Sequence, residues 1–269
     1  MVIDPYHLAG FMMPKSFRVP ALVAGCLLAF GAQAPAASVK KTIQQLSSIF
    51  ENSTPVFQYT FVANIGDQRG YTFGFVGFTS GTYSGTFFLE EYQRLNPGNA
   101  LVRFLPAFRR IDAGPHDSEG RNPSTEGLEE FPAGFDSWVG DPVFRRAQIR
   151  LVNRLIWNPA MAVARKLRVR YPLTQGQIYD AYVNHGEDGI NRLLAKAKRR
   201  AGGTPATGVS EKKWLDAFLA VRLAVLRKDS TWVHAVDRIA VYQRLLRDRN
   251  YRLRRPIEVD CYGNHFRLD

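Results

Sequence analysis

The sequence predicts an α+β fold, mainly α-helical, with one small antiparallel β-sheet in its first third. Three observations carry this. Apolar residues recur at helical spacing from Lys41 to Phe50, and again over most of the chain beyond Asp141. Between them, Gln58 to Ile65 and Tyr71 to Thr79 are β-branched and aromatic segments parted by a glycine turn. No period recurs, which excludes a repeat architecture. With 269 residues and 45% hydrophobic content, the chain suits one large domain or two lobes sharing a core.

Residues 1–37 are predicted to be an export signal. Lys15 and Arg18 form a positive start, Val19 to Ala32 an apolar core, and Ala32 to Ala37 a small-residue cleavage region. Met12 or Met13 is the better start of that signal. The apolar run is too short for a spanning helix, so no transmembrane segment is expected in the mature chain, residues 38–269. Val23-Ala24-Gly25-Cys26 also has the form of a lipoprotein box, which would anchor the chain through Cys26. Cleavage otherwise removes Cys26 and leaves Cys261 alone, so no intramolecular disulfide supports the exported fold. The whole chain carries 36 basic and 24 acidic side chains, net +12.

In the first predicted helix Ile43, Leu46 and Phe50 share one face, and Asn52, Ser53 and Pro55 stop it. Glu51 therefore stands on the last turn. Asp67 lies in the turn Gly66 to Gly70 between the two strands, and Gly74 and Gly77 in the second strand permit close approach of backbone or ligand. Helices follow over Thr86 to Leu95 and Leu101 to Arg110, then a surface loop over residues 112–136. Asp141-Pro142 caps a helix whose buried stripe is Phe144, Ala147, Leu151 and Leu155. Asn158-Pro159 repeats that device. Thr174 and Gln177 have capping-box spacing, and Gly186 is expected to end their helix. The basic run Arg192 to Arg200 leads to a loop over Ala201 to Gly208. Ser210 caps a further helix with Trp214, Phe218, Val221 and Val225 on one face.

Two carboxylates from different elements are the minimum for hydrolysing a glycosidic bond. The residues around them are more telling: Glu51-Asn52-Ser53, then Gln58-Tyr59, then Ile65-Gly66-Asp67-Gln68-Arg69-Gly70-Tyr71-Thr72. This run resembles the signature of the chitosanase family of glycoside hydrolases, family forty-six, which shares its core with phage-type lysozymes. Leu95 to Asn99 and Leu105 to Ala107 also match. So do Tyr179-Asp180-Ala181 with Asn184-His185-Gly186, and Phe218-Leu219 with Arg222. The resemblance spans roughly residues 42 to 266. It implies a lysozyme-like two-lobed fold with the sheet at the cleft.

It also implies an inverting mechanism. Glu51 would be the general acid, Asp67 the general base on a water, and Thr72 the hydroxyl that holds that water. Glu51 is expected in the drier place, where desolvation favours the protonated acid. Arg69 would favour ionised Asp67 and contact the sugar, with Tyr59 and Ser84 also on the substrate. Asp180 and Arg222 would pair behind the cleft, with Arg238 the nearest third member. The chain departs from the family where acids meet the cationic polymer: Ala63 and Asn64 replace a Glu-Asp pair, and Ser84 an aspartate. Glu90, Glu91 or Asp229 are the acids that could compensate.

The resemblance therefore implies a secreted or periplasmic, monomeric endo-acting hydrolase of chitosan, needing no cofactor. Peptidoglycan or another neutral or anionic aminoglycan is the alternative substrate, to which a basic exterior would adsorb. A nucleic-acid binder is a remote third reading. The basic run Arg244 to Arg255 invites it, but reads as a helix burying Leu245 and Leu246, and an export signal opposes it. His7, His116, His185, His234 and His265 are scattered without metal-ligand spacing.

Overall fold

The computed structural model describes residues 39–136, 140–228 and 235–269. The predicted leader with Met12, Met13 and Cys26 lies outside them, as do Asp229 and His234. Helix α1 (Val39–Asn52) buries Ile43, Leu46, Ile49 and Phe50 completely. The chain then enters a three-stranded antiparallel sheet, β1 (Val62–Asn64), β2 (Tyr71–Phe73) and β3 (Phe78–Thr79). Ala63 pairs with Thr72, and Thr72 with Thr79. The second expected strand is thus two strands. Gly74 and Gly77 both take φ near +73°, which only glycine adopts freely, and turn the chain between them. A side chain on Gly74 would also collide with Gln148 Oε1.

Helix α2 (Ser84–Leu95), a 3₁₀ turn (Ala100–Phe104) and α3 (Leu105–Ala113) follow. The segment 112–136 is not all surface loop. It closes with α4 (Phe131–Asp136), and Leu128, Phe131 and Phe135 are fully buried. Their partners make an aromatic core: Phe73 lies 5.0–6.1 Å, ring to ring, from Phe78, Phe88, Phe108, Phe131 and Phe135. Such edge-to-face contacts are favourable beyond the area they bury.

Asp141 does cap α5 (Pro142–Val152), accepting from Val143 N at 2.7 Å, and the expected stripe is buried. Asn158-Pro159 does not repeat the device. A π turn (Asn153–Trp157) carries α5 straight into α6 (Asn158–Lys166), and Asn158 N donates to Asn153 O. The wider π spacing accommodates a proline that has no N–H of its own.

Helix α7 (Pro172–Ala201) begins after Tyr171, so Thr174 and Gln177 lie inside it, buried, rather than in a capping box. Gly186, at φ +64° and ψ −177°, leaves the helical region and breaks this span into two helical pieces, as the sequence predicts, the second starting directly after it. Helix α8 (Glu211–Leu226) is capped by Ser210, whose Oγ accepts from Lys213 N. Arg222 and Leu226 are buried on its inner face, while Val221 and Val225 are half-buried. Helix α9 (Val236–Arg247) stops well before Arg255, so the basic run is only partly helical. A hairpin, β4 (Ile257–Cys261) and β5 (Asn264–Leu268), closes the chain. No helix among the described residues is long and apolar enough to cross a membrane.

Candidate active site

Glu51 is held at the end of α1 with 9% of its surface exposed. Its surroundings are not apolar. Arg238 of α9 reaches it with Nη2, which donates to Oε1 at 2.6 Å and to the Phe50 carbonyl at 3.3 Å. Nη1 of the same guanidinium donates to Asp180 Oδ1 of α7 at 3.5 Å. Asp180 also accepts from Arg222 Nη1 of α8 at 2.9 Å and from Ser47 Oγ of α1 at 3.2 Å. Arg222 in turn holds Gln177 Oε1 at 2.8 Å and Asn184 Oδ1 at 3.3 Å. The chain Glu51–Arg238–Asp180–Arg222 thus joins four helices through two guanidinium groups and two carboxyl groups.

Both arginines are fully enclosed. Burial works against the charge of Arg238, but Asp180 and Glu51 more than offset it and raise its pKa. Burial outweighs Asp180 at Arg222 and lowers its pKa. His185 sits beside them, and burial, then Arg222, Arg238 and Arg192, pushes its pKa down to about 2. It therefore stays neutral at any working pH and adds no third cation.

Asp67 lies in the β1–β2 turn. Its Oδ1 accepts from Arg69 N at 3.2 Å, closing the turn as an aspartate often does. Its Oδ2 accepts from both Arg69 Nε, at 2.7 Å, and Arg69 Nη2, so the guanidinium edge is shared by one carboxylate oxygen. Arg69 is itself buried, and its carbonyl accepts from Gly81 N. Gly70 has φ +67°, and any side chain there would collide with Ser80 Oγ, which accepts from Tyr71 N at 2.9 Å. Thr72 follows in β2. It is completely buried, and among the described residues its Oγ1 has no hydrogen-bond partner.

One of the predicted substrate residues, Ser84, is placed otherwise. Ser84 is 1% exposed, and its Oγ accepts from Thr79 N at 2.9 Å and meets Thr82 Oγ1. It braces the start of α2 and has no surface to offer a sugar. An acid does stand beside that turn. Asp112 of α3 accepts from Tyr83 N and from Thr86 Oγ1, and burial raises its pKa. Tyr59 is half-buried against Phe57 and Phe75, with Arg145 over its ring and Gln148 Nε2 on its carbonyl at 2.8 Å. Gln148 Oε1 accepts from Phe75 N, so one side chain of α5 ties both segments that flank β1 and β2.

Nor do Glu90 and Glu91 compensate for the absent acids. Glu90 pairs with Arg109 at 2.9 Å. Glu91 is buried among Arg94, Arg150 and Arg154. Burial alone would raise its pKa, but hydrogen bonds and charge from Arg94 and Arg150 prevail and hold it below the usual range.

One residue behind Glu51 had not been singled out. Tyr262, at the turn of the C-terminal hairpin, donates from its phenol to Phe50 O at 3.0 Å. The signal was available, since Tyr262-Gly263 parts two alternating segments. Among the described residues no cluster of three or more metal-ligating side chains occurs.

The sequence profile of "Glycosyl hydrolase family 46" matches residues 45–257. A chitosanase of Bacillus subtilis strain 168 is 33% identical over 84% of this chain and 83% of its own. A chitosanase of Nocardioides sp. strain N106 is 34% identical over 86% and 81%. Among solved structures, a glutamate-to-alanine variant of the Bacillus subtilis MY002 chitosanase complexed with six GlcN units aligns with TM-score 0.77. It is 32% identical and covers 87% of this chain and 99% of its own. The Gynuella sunshinyii chitosanase with chitotetraose gives TM-score 0.77, 35% identity, and coverage of 88% and 99%. The mainly helical fold with small antiparallel sheets is theirs too, and the chain belongs to glycosyl hydrolase family 46.

Proposed function

We propose that this protein is an endo-acting chitosanase that cleaves β-1,4-linked glucosamine polymer with inversion at the anomeric carbon. The observation that carries this is the pair of arginine-held carboxylates on separate elements, Glu51 at the end of α1 and Asp67 in the β1–β2 turn. Arg238 Nη2 donates to Glu51 Oε1 and fixes the orientation of this carboxyl. In the reaction Glu51 gives its proton to the leaving glycosidic oxygen as that bond breaks. A water held by Thr72 Oγ1 attacks the anomeric carbon from the opposite face, and Asp67 takes the proton it releases. Thr72 Oγ1 has no partner among the described residues, and since it is completely buried the role requires the water to enter beside β2 when substrate binds. Inversion needs the carboxyls far enough apart to admit the water.

A second reading, hydrolysis of peptidoglycan or a related aminoglycan, rests on the same carboxylates with a different sugar chain. It is favoured by Ala63, Asn64 and Ser84 where acids would greet a polycation, and by the engagement of Glu91 with arginines. Residues 1–37 fit an export leader on either reading, and the mature protein acts outside the cytoplasm.

The test is reducing-end release from soluble chitosan and from purified peptidoglycan, with Glu51→Gln beside the unmodified protein. Chitosan cleavage that falls by about a hundredfold or more in the variant is the expected result. Full activity in the variant would remove Glu51 from the mechanism. Cleavage of peptidoglycan alone would select the second reading.

A further inference from the structure

A cavity of about 780 Å³ opens where the start of α7 meets the turn after α9. It shares no lining residue with the Glu51–Asp67 site. Its wall carries four arginines, Arg170, Arg249, Arg252 and Arg254, against one acid, Asp248. Arg69, Arg94, Arg103, Arg109, Arg222 and Arg238 pair with carboxylates, while Arg165, Arg199 and Arg200 stand singly on exposed helix faces. What sets the cavity apart is that four arginines without a carboxylate partner line one concavity. Among the described residues none of the four cavity arginines has a carboxylate within ion-pair distance. Glu211 lies close, but it accepts from the backbone N–H groups of Arg170 and Tyr171, and Lys212 beside it restores the balance.

The turn that presents these cations is braced. Asn250 pairs with both backbone groups of Arg254, donating to its carbonyl at 2.8 Å and accepting from its N–H at 2.7 Å. Leu173 N donates to Tyr251 O, tying the turn to α7. Arg249 and Leu253 are both held at positive φ, +57° and +52°. Tyr171 and Tyr251 stack at 4.8 Å, and Lys212 Nζ sits 4.6 Å from the Tyr251 ring centre. The rings are used on each other and on a cation, so the cavity offers positive charge rather than a platform for stacking bases.

We propose that this cavity is a second binding site, separate from the active site, for a polyanionic glycan whose phosphate or carboxylate groups pair with Arg170, Arg249, Arg252 and Arg254. A polycationic glucosamine chain is repelled there, so the site serves to hold the protein on an acidic surface polymer and not to feed the active site.

The test is affinity electrophoresis of the purified protein in gels containing polygalacturonate, as carboxylate polymer, or a phosphomannan, as phosphate polymer. Arg252→Glu/Arg254→Glu is compared with Lys196→Glu/Arg199→Glu, which changes net charge equally on the exposed face of α7. Retention at about 50 mM salt that weakens at about 200 mM is expected. It should fall about tenfold or more in the first double variant and little in the second, with thermal unfolding and catalytic turnover unchanged in both. The better retained polymer identifies the preferred anion. Equal losses in the two variants would show only a general charge effect and overturn the site. Absence of retention on both polymers would overturn it as well. Tighter binding of single-stranded DNA than of either glycan, lost in the first variant, would replace it with a nucleic-acid site.

Discussion

The interior of this protein is built in two ways. Around Phe73 it is aromatic and dry, with Phe88, Phe108, Phe131 and Phe135 meeting that ring edge to face and Phe78 tilted against it. Behind Glu51 it is equally enclosed but ionic, with Arg222, Asp180 and Arg238 at 0–2% side-chain exposure. The first region gains stability from every apolar area it hides. The second pays desolvation for each charge and recovers it only through close partners. What separates them is purpose: apolar packing holds elements together, whereas the ionic chain sets the position of one carboxylate.

Breaking the ionic side should have the largest effect. Asp180→Ala leaves two buried guanidinium groups with Glu51 as their sole remaining carboxylate partner. We expect a loss of about 3–5 kcal/mol in denaturant unfolding, with loss of activity in whatever remains folded. Replacing the pair together, Asp180→Leu with Arg222→Met, should restore much of the stability and little of the activity. Recovery of both would mean that Arg238 alone orients Glu51.

Breaking the aromatic side should cost stability only. Phe144 packs on Phe88, Tyr92 and Phe135 from α5, and contributes no group to the site. Phe144→Ala should lower unfolding free energy by about 3–5 kcal/mol while turnover per folded molecule stays unchanged. A matching fall in turnover would show that the two interiors are coupled.

A smaller effect is expected at Glu91, a buried acid held by arginines that reach solvent. Arg94 and Arg150 hold Glu91 ionised below its ordinary range, so the stability it adds is present above the unfolded carboxyl pKa. That stability is lost as pH falls through the lowered folded value. Glu91→Gln should therefore melt earlier than the unmodified protein at pH 7, and the gap should close below about pH 4. A gap that persists in acid would assign the loss to packing instead of charge.

Much of this was legible in the sequence where one local rule decides the outcome. Helical spacing from Lys41 to Phe50 placed Glu51 at a helix end, and Asp141-Pro142 marked a true cap. Gly186 does break the helical span, as a glycine at positive φ should. Errors arose where tertiary contacts override such rules. Thr174 and Gln177 have capping spacing, yet Gln177 is buried inside α7 as a partner of Arg222. Ser84 is expected on the substrate by resemblance alone, but its hydroxyl is engaged by Thr79 and Thr82. The hairpin turn at Tyr262-Gly263 could be read from alternation, but its contact with Phe50 spans 212 positions, a distance over which spacing does not pair residues.

The account turns on two carboxylates working across a water. The most direct measurement is proton NMR of the products in the first minutes of chitosan hydrolysis, before mutarotation mixes the anomers. The account predicts that the α-anomer of the new reducing end appears first, since a β-linkage is inverted. A β-anomer appearing first would contradict it, and would make Asp67 or another carboxylate a nucleophile rather than a base.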